Sequence, residues 1–263
     1  MKLPDSIEKL VLNLPYTVNK TGMSGSEVRM YDGMVLKICP ADAETENEAA
    51  IAAFLKGKLP VTEILARETA DGVSHTLMTR VKGKMLCDRA YLTDIPRLLD
   101  LAAEALKKMW SVDITGCPDG VSRLENRLAV ARYNVENGLV DMGNTEPGTF
   151  GPGGFENPAS LIDWLENNRP PEDLVLTHGD CCLPNLFADE NGICGYIDTG
   201  KTGVADRWQD IALCIRSISH NLDGRYSDGV KYGDFEPEDL LDRMGIPMDE
   251  EKFRYYVLLD ELF

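Results

Sequence analysis

The sequence predicts an α+β fold of two lobes, a small β-rich lobe followed by a larger, mainly helical one. Three observations carry this expectation. The first third alternates short apolar runs with Asp-Gly and other glycine turns, the pattern of strands joined in hairpins. From about residue 84 onward, apolar residues recur at helical spacing over long segments. A chain of 263 residues, 43% hydrophobic and 27% charged, has the composition of a globular protein and can bury a full core. The expected division is a lobe at 1–80, a hinge near 79–83 and a second lobe at 84–263.

Each element follows from a local signal. A strand at 16–18 runs into the flexible turn Thr21-Gly22-Met23-Ser24-Gly25-Ser26. Runs at 28–31 and 34–38 flank Asp32-Gly33, a strong hairpin signal. A helix is expected over 43–56, stopped by Gly57. Glu44, Glu48, Ile51 and Leu55 share one face of it, so one or two carboxylates point inward and need a partner. Strands fit 61–67 and 73–79, separated by Asp71-Gly72. Leu98, Leu99, Ala102, Leu106 and Met109 mark a helix over 95–110. Ser122-Arg123-Leu124-Glu125 reads as a capping box opening a helix with Leu124, Leu128, Ala131 and Val135 inside. A long Gly/Pro-rich loop covers 142–158, and further helices are expected at 159–167, 206–219 and from 249 to the C-terminus.

The net charge of -17 argues against nucleic acid or anionic membranes as partners and favours cations. Between residues 223 and 263 there are 12 acidic against 5 basic residues, which makes a cationic substrate near the C-terminus plausible. No apolar run approaches the ~20 residues that span a bilayer. The opening MKLPDSIEKLVLNLP lacks the uninterrupted apolar region of a signal peptide. Seven cysteines, an odd number without repeating spacing, read as reduced thiols that mostly pack in the core. The expected location is therefore cytoplasmic, and nothing demands an obligate protein partner.

The stretch THGDCCLPNLFADENGICGYIDTGKTG, residues 177–203, concentrates polar groups between apolar runs. A thiolate metal site would need a second ligand pair at suitable spacing, which the sequence lacks. A nucleophilic cysteine would need an oriented base, and none is evident. A phosphate site accounts for more of the residues. Asn185 follows Asp180 by five positions, and a hairpin about the 189–192 turn returns Asp198 beside Asn185. Asn185 and Asp198 supply the hard oxygen donors Mg²⁺ prefers, leaving Asp180 to accept a proton from a hydroxyl. His178-Gly179-Asp180, Asn185 and Asp198-Thr199-Gly200 fit the kinase pattern of a catalytic Asp, an Asn and a D-x-G. That chemistry also requires a loop over the phosphates, a strand lysine and a helical glutamate to orient it. Residues 22–26, Lys37 in the apolar run MVLKIC, and Glu48 meet those requirements.

Over nearly its whole length the sequence resembles the aminoglycoside 3′-phosphotransferases. The resemblance is carried by TGMS at 21–24, GKLPV at 57–61, HGDxxxxN at 178–185, IDTGKTGVADRWQDIALCIRSI at 197–218 and the terminal LLDELF. It implies a protein-kinase-like fold and ATP-dependent phosphorylation of the 3′-hydroxyl of cationic aminoglycoside antibiotics, a resistance activity. Asp180 is then the catalytic base, and Asn185 and Asp198 are the Mg²⁺ ligands. Lys37 contacts the α- and β-phosphates with Glu48 fixing it, and Met23 and Ser24 lie in the loop above them. The backbone of Thr79 and Val81 meets adenine, while Glu261 and the terminal carboxylate of Phe263 meet substrate ammonium groups.

The sequence departs from the family pattern in three places. Val35 replaces an aromatic residue beside the adenine pocket, which keeps GTP a second candidate beside ATP. The 142–158 loop has only Glu146 and Glu156 as acids, and His220-Asn221 stands where an acidic pair is expected. A narrower drug range follows, with His220 an ordinary surface histidine if its segment faces away from the cleft. The alternatives are a kinase of the same fold for another small cationic or hydroxylated metabolite, such as choline or a macrolide, and an inactive nucleotide-binding module.

Overall fold

The structure is a computed structural model describing residues 3–19, 26–118 and 121–263. Helix α1 (Asp5–Val11) precedes strands β1 (Thr17–Asn19), β2 (Glu27–Met30) and β3 (Met34–Pro40), helix α2 (Ala43–Leu55), and strands β4 (Ile64–Ala70) and β5 (Val73–Thr79). The strands form one antiparallel sheet in the order β1-β2-β3-β5-β4. Asp71 and Gly72, with φ of 51° and 75°, make the β4–β5 turn in the left-handed conformation that matches strand twist. The sheet carries a small apolar cluster of Ile7, Val11, Tyr31, Leu36, Ile38 and Leu77.

Helix α2 starts at a reciprocal cap: Thr45 N donates to Asp42 Oδ1 at 2.8 Å, and Asp42 N donates to Thr45 Oγ1 at 3.0 Å. Of its two candidate inward carboxylates only Glu48 is buried; Glu44 faces solvent. Ile51 and Leu55 of α2 bury themselves in the large core of the helical lobe, apart from the sheet's own cluster.

The second part runs through β6 (Lys84–Met85), α3 (Arg89–Leu92), α4 (Ile95–Trp110), α5 (Leu124–Glu136), α6 (Pro158–Asn167) and β7 (Leu174–Thr177). A 3₁₀ turn (Leu183–Asn185) leads into β8 (Leu186–Asp189), which pairs with β6, and β9 (Gly192–Tyr196), which pairs with β8. A second 3₁₀ turn (Thr199–Lys201) leads to β10 (Gly203–Asp206), which pairs antiparallel with β7, and then α7 (Arg207–Leu222), α8 (Pro237–Met244) and α9 (Glu250–Asp260). Helix α4 is the spine of the core: Leu98, Leu101, Ala102, Ala105 and Leu106 are fully enclosed. Among the described residues no helix is long and apolar enough to cross a membrane.

Several expectations change. The capping box at Ser122 does not form, because Ser122 Oγ donates to the carbonyl of Lys201 and α5 begins at Leu124 without a side-chain cap. Val135 is only half-buried. The strand expected at 61–67 starts at Ile64, because Val61 is drawn into a parallel bridge with Tyr196, whose N–H donates to Pro60 O at 2.9 Å. Helices α1, α3 and α8 are additional. All seven cysteines are free, but only Cys181 and Cys214 are buried, so most thiols sit at the edge of the core.

Candidate active site

The loop after β7 is fixed from below by Asp210, a wholly buried acid on α7. Its Oδ2 accepts the N–H of His178 at 2.6 Å and its Oδ1 the N–H of Gly179 at 2.9 Å. Burial pushes the Asp210 carboxyl up, while His178 and these two N–H groups oppose that push. The buried His178 ring donates from Nε2 to Ile197 O at 2.9 Å, and Thr202 Oγ1 donates to His178 O at 3.0 Å. Gly179 has φ of 82°, and a Cβ there would lie 2.0 Å from Lys201 O, so only glycine fits where the loop meets the turn at Lys201.

This clamp presents Asp180, half-buried, at the loop surface. Its Oδ2 accepts from Asn185 Nδ2 at 3.2 Å, and the same amide donates to Asp180 O at 3.0 Å. Its Oδ1 accepts from Cys182 Sγ at 3.2 Å. Burial pushes the Cys182 thiol up, and the Asp180 charge adds to that, so the group remains a thiol donor.

The β8–β9 hairpin returns the chain as the sequence predicts: Ile197 N donates to Asn185 O at 3.1 Å. The next residue, Asp198, sits at φ 54° and ψ 50°, a left-handed conformation uncommon for a non-glycine residue. Lys37 Nζ on β3 lies 2.8 Å from Asp198 Oδ1 and 3.5 Å from Glu48 Oε2. Burial alone would pull the Lys37 ammonium down; the two carboxylates outweigh it and hold the group above the ordinary lysine value. Burial pushes the Glu48 carboxyl up, with Lys37 opposing.

Next to Glu48, Asn47 does something the sequence reading missed. Its buried Nδ2 donates to both Gly200 O and Thr202 O at 2.8 Å, tying α2 to the turn that carries Asp198. Asp210 was missed as well, although an acid leading directly into the apolar run IALCI is itself a signal that a buried partner exists.

The oxygen donors suit a hard cation. Asn185 spends its NH₂ on Asp180, which leaves its carbonyl oxygen for a cation, and the Asp198 carboxylate already has the Lys37 ammonium against it. Among the described residues no three His, Cys, Asp or Glu side chains gather as a metal cluster. At the connection between the lobes, Thr79 N donates to Glu63 O at 2.9 Å and Thr79 Oγ1 accepts from Glu63 N at 2.9 Å. Val81 crosses β9 so closely that a Cβ on Gly195 would lie 2.0 Å from its Cγ1. Met23 and Ser24 lie outside the described residues.

The C-terminal carboxylates are engaged by the chain itself. Glu261 is buried: Oε2 accepts Glu146 N at 2.6 Å and Thr149 Oγ1 at 3.3 Å, and Oε1 lies 3.2 Å from Arg216. Burial pushes its carboxyl up. Asp260 is held below the usual carboxylate range: burial works against ionisation, and Arg216 and Arg127 outweigh it. Phe263 is half-buried with its ring 4.5 Å from the Arg127 guanidinium carbon. His220 is buried and therefore no surface histidine; its Nε2 lies 2.8 Å from Glu146 Oε1 in the 142–158 loop.

Residues 16–245 match the model of the phosphotransferase enzyme family. The chain belongs to that family. Across its full length it is 34% identical to an aminoglycoside 3′-phosphotransferase of Enterococcus faecalis, 99% of which it covers. The crystal structure of an aminoglycoside 3′-phosphotransferase of type VIII superposes with a TM-score of 0.79 at 25% identity, covering 98% of both chains. An aminoglycoside phosphotransferase of Streptomyces rimosus in complex with ADP and streptomycin shares the fold, with a TM-score of 0.77 at 22% identity over 99% of each chain. The resemblance and the kinase-like fold read from the sequence are both borne out.

In this phosphotransferase Asp180, Asn185, Asp198, Lys37 and Glu48 are joined by an unbroken set of side-chain and backbone contacts. Glu261 and Phe263 lie around Arg216 and Arg127 beside this set, and Arg127 Nη1 donates to the carbonyl of Gly179, next to Asp180, at 3.2 Å.

Proposed function

We propose that the chain transfers the γ-phosphoryl group of ATP to the 3′-hydroxyl of an aminoglycoside, and so confers antibiotic resistance in the cytoplasm. The observation that supports this most is the joining of Asp180, Asn185 and Asp198 to Lys37 of the sheet, at the distances given above. The acceptor oxygen attacks phosphorus in line as the bond to the ADP oxygen breaks, and the hydroxyl proton passes to Asp180. Little covalent work falls to the protein; positioning and charge stabilisation supply the rate. Asn185 and Cys182 hold the Asp180 carboxylate, so its orientation is fixed before the acceptor arrives. Lys37, braced by Glu48, meets the α- and β-phosphates, with Met23 and Ser24 above them and the backbone of Thr79 and Val81 along adenine. Asn185 and Asp198 hold Mg²⁺, which neutralises phosphate charge when bound. Glu261 shapes the acceptor side through the 142–158 loop, and Phe263, stacked on Arg127, borders it.

Steady-state ADP release with Mg-ATP tests this against kanamycin, neomycin and tobramycin, which lacks the 3′-hydroxyl. Turnover with the first two alone is expected. Equal turnover with tobramycin would move the phosphate to another hydroxyl, and turnover with none would remove aminoglycosides as substrates.

A further inference from the structure

The protein carries a net charge of -17, yet the carboxylates around its C-terminus are already matched by arginines. Asp260 pairs with Arg127 and Arg216, Glu261 with Arg216, and Glu146 with Arg225, whose Nη1 lies 2.9 Å from Glu146 Oε2. Asp223 also faces Arg225, its Oδ2 3.7 Å from Nη2, so four acids meet three guanidinium groups. This group adjoins the proposed catalytic base: Arg127 Nη1 donates to the carbonyl of Gly179, the residue before Asp180, at 3.2 Å.

Arg225 differs from the other two. Its side chain is 44% exposed, against 6% for Arg127 and 20% for Arg216. Arg225 Nη1 also lies 2.6 Å from His220 Nε2, the same nitrogen that lies 2.8 Å from Glu146 Oε1. One nitrogen cannot serve both contacts, because the carboxylate needs its proton and the guanidinium needs its lone pair. The His220 contact with Glu146 therefore competes with its contact to Arg225, and the exposed guanidinium is left to Glu146 Oε2 at 2.9 Å and Asp223 Oδ2 at 3.7 Å. Glu146 sits in the 142–158 loop with its N–H held by Glu261, and His220 Nε2, 2.8 Å from Oε1, keeps a contact with its carboxylate when Arg225 leaves.

We propose that Arg225 is a resident counter-cation of the acceptor side: it occupies Glu146 in place of an acceptor ammonium group and sets the enzyme against polycationic acceptors. This rests on the aminoglycoside reading above. An ammonium group reaching Glu146 must displace the guanidinium, so part of its attraction is spent on exchange. Removing the guanidinium frees Glu146 for the acceptor.

The test is steady-state kinetics of the full chain, wild type, R225Q, E146Q and the double variant, with neomycin and Mg-ATP. R225Q is expected to lower the neomycin KM about tenfold and to make KM rise more steeply with salt. In the E146Q background the same substitution is expected to change KM less than twofold. If Arg225 only braces the loop, R225Q raises KM or leaves it unchanged, and the proposal is overturned while the aminoglycoside reading stands. If none of the four turns over neomycin while Mg-ATP still binds, the aminoglycoside reading fails and takes this proposal with it.

Discussion

Lys37 and Asp198 stand 2.8 Å apart although 161 residues separate them in sequence. The contact joins the sheet to the catalytic hairpin, and Glu48 holds the same ammonium from the other side. Both carboxylates keep Lys37 charged, so K37M leaves Glu48 buried without its cation and removes the phosphate contact. Nucleotide KM is expected to rise at least tenfold in K37M. D198A is expected to abolish the magnesium-dependent part of ATP binding, measured by titration calorimetry with and without the metal. Equal binding in both conditions for wild type and D198A would contradict the assignment of Asp198.

Asp180 should matter for turnover alone. D180N keeps the size of the side chain and can still accept from Cys182 or Asn185, but it cannot take up the acceptor proton. A loss of roughly 10²–10⁴ in kcat is expected, with nucleotide affinity nearly unchanged. A variant that loses ATP affinity at normal kcat would place Asp180 in nucleotide binding instead.

Asn47 is the strongest prediction the sequence did not offer. N47A leaves the buried carbonyls of Gly200 and Thr202 without their donor, a cost of about 2 kcal/mol. Because those carbonyls flank the turn after Asp198, nucleotide KM should rise together with the loss in thermal stability. Chemical denaturation and kinetics on one preparation check both; a stability loss at constant KM would make Asn47 a purely structural tie.

The proposed catalytic residues were legible because each lies at a fixed offset from its neighbours: Asp180 to Asn185 within one loop, and Asp198 at the end of a hairpin whose turn is spelled out locally. Lys37 was legible as a cation in an apolar strand that needs a partner. Asn47 was not, because its acceptors are carbonyls 153 and 155 residues away and carry no side-chain signature. Ser122 misled for the same reason: a hydroxyl that could cap its own helix is taken by the distant carbonyl of Lys201. Helix α8 had its signals, Pro237 at the first helical position and Gly245 in the left-handed conformation at its end, inside a segment whose acidity drew attention first. Glu261 was read as a contact for ligand, whereas the structure has it holding Glu146, Thr149 and Arg216.

Asp260 gives the pH dependence a sign. Its folded pKa lies below the unfolded value, so its stabilising effect is complete above the ordinary carboxylate pKa of about 4 and is lost as pH falls through the depressed folded value. D260N leaves Arg127 and Arg216 short of a carboxylate in a mostly buried place, at a cost of about 3 kcal/mol near neutral pH. Melting temperatures from pH 3 to 7 should therefore converge for wild type and D260N at the acid end. A constant gap over that range would sink the assignment.

Helix α2 is rooted in one body and serves another. Ile51 and Leu55 anchor it in the core of the helical lobe, while Glu48 on the same helix faces a lysine that rides on the sheet. The two halves of this ion pair are therefore mounted on separately supported parts. Any shift of the sheet against α2 changes the gap, and because both side chains are largely shielded from water the strength of the pair changes steeply with that length. The pair thus works as a gauge of how the sheet sits on the helix.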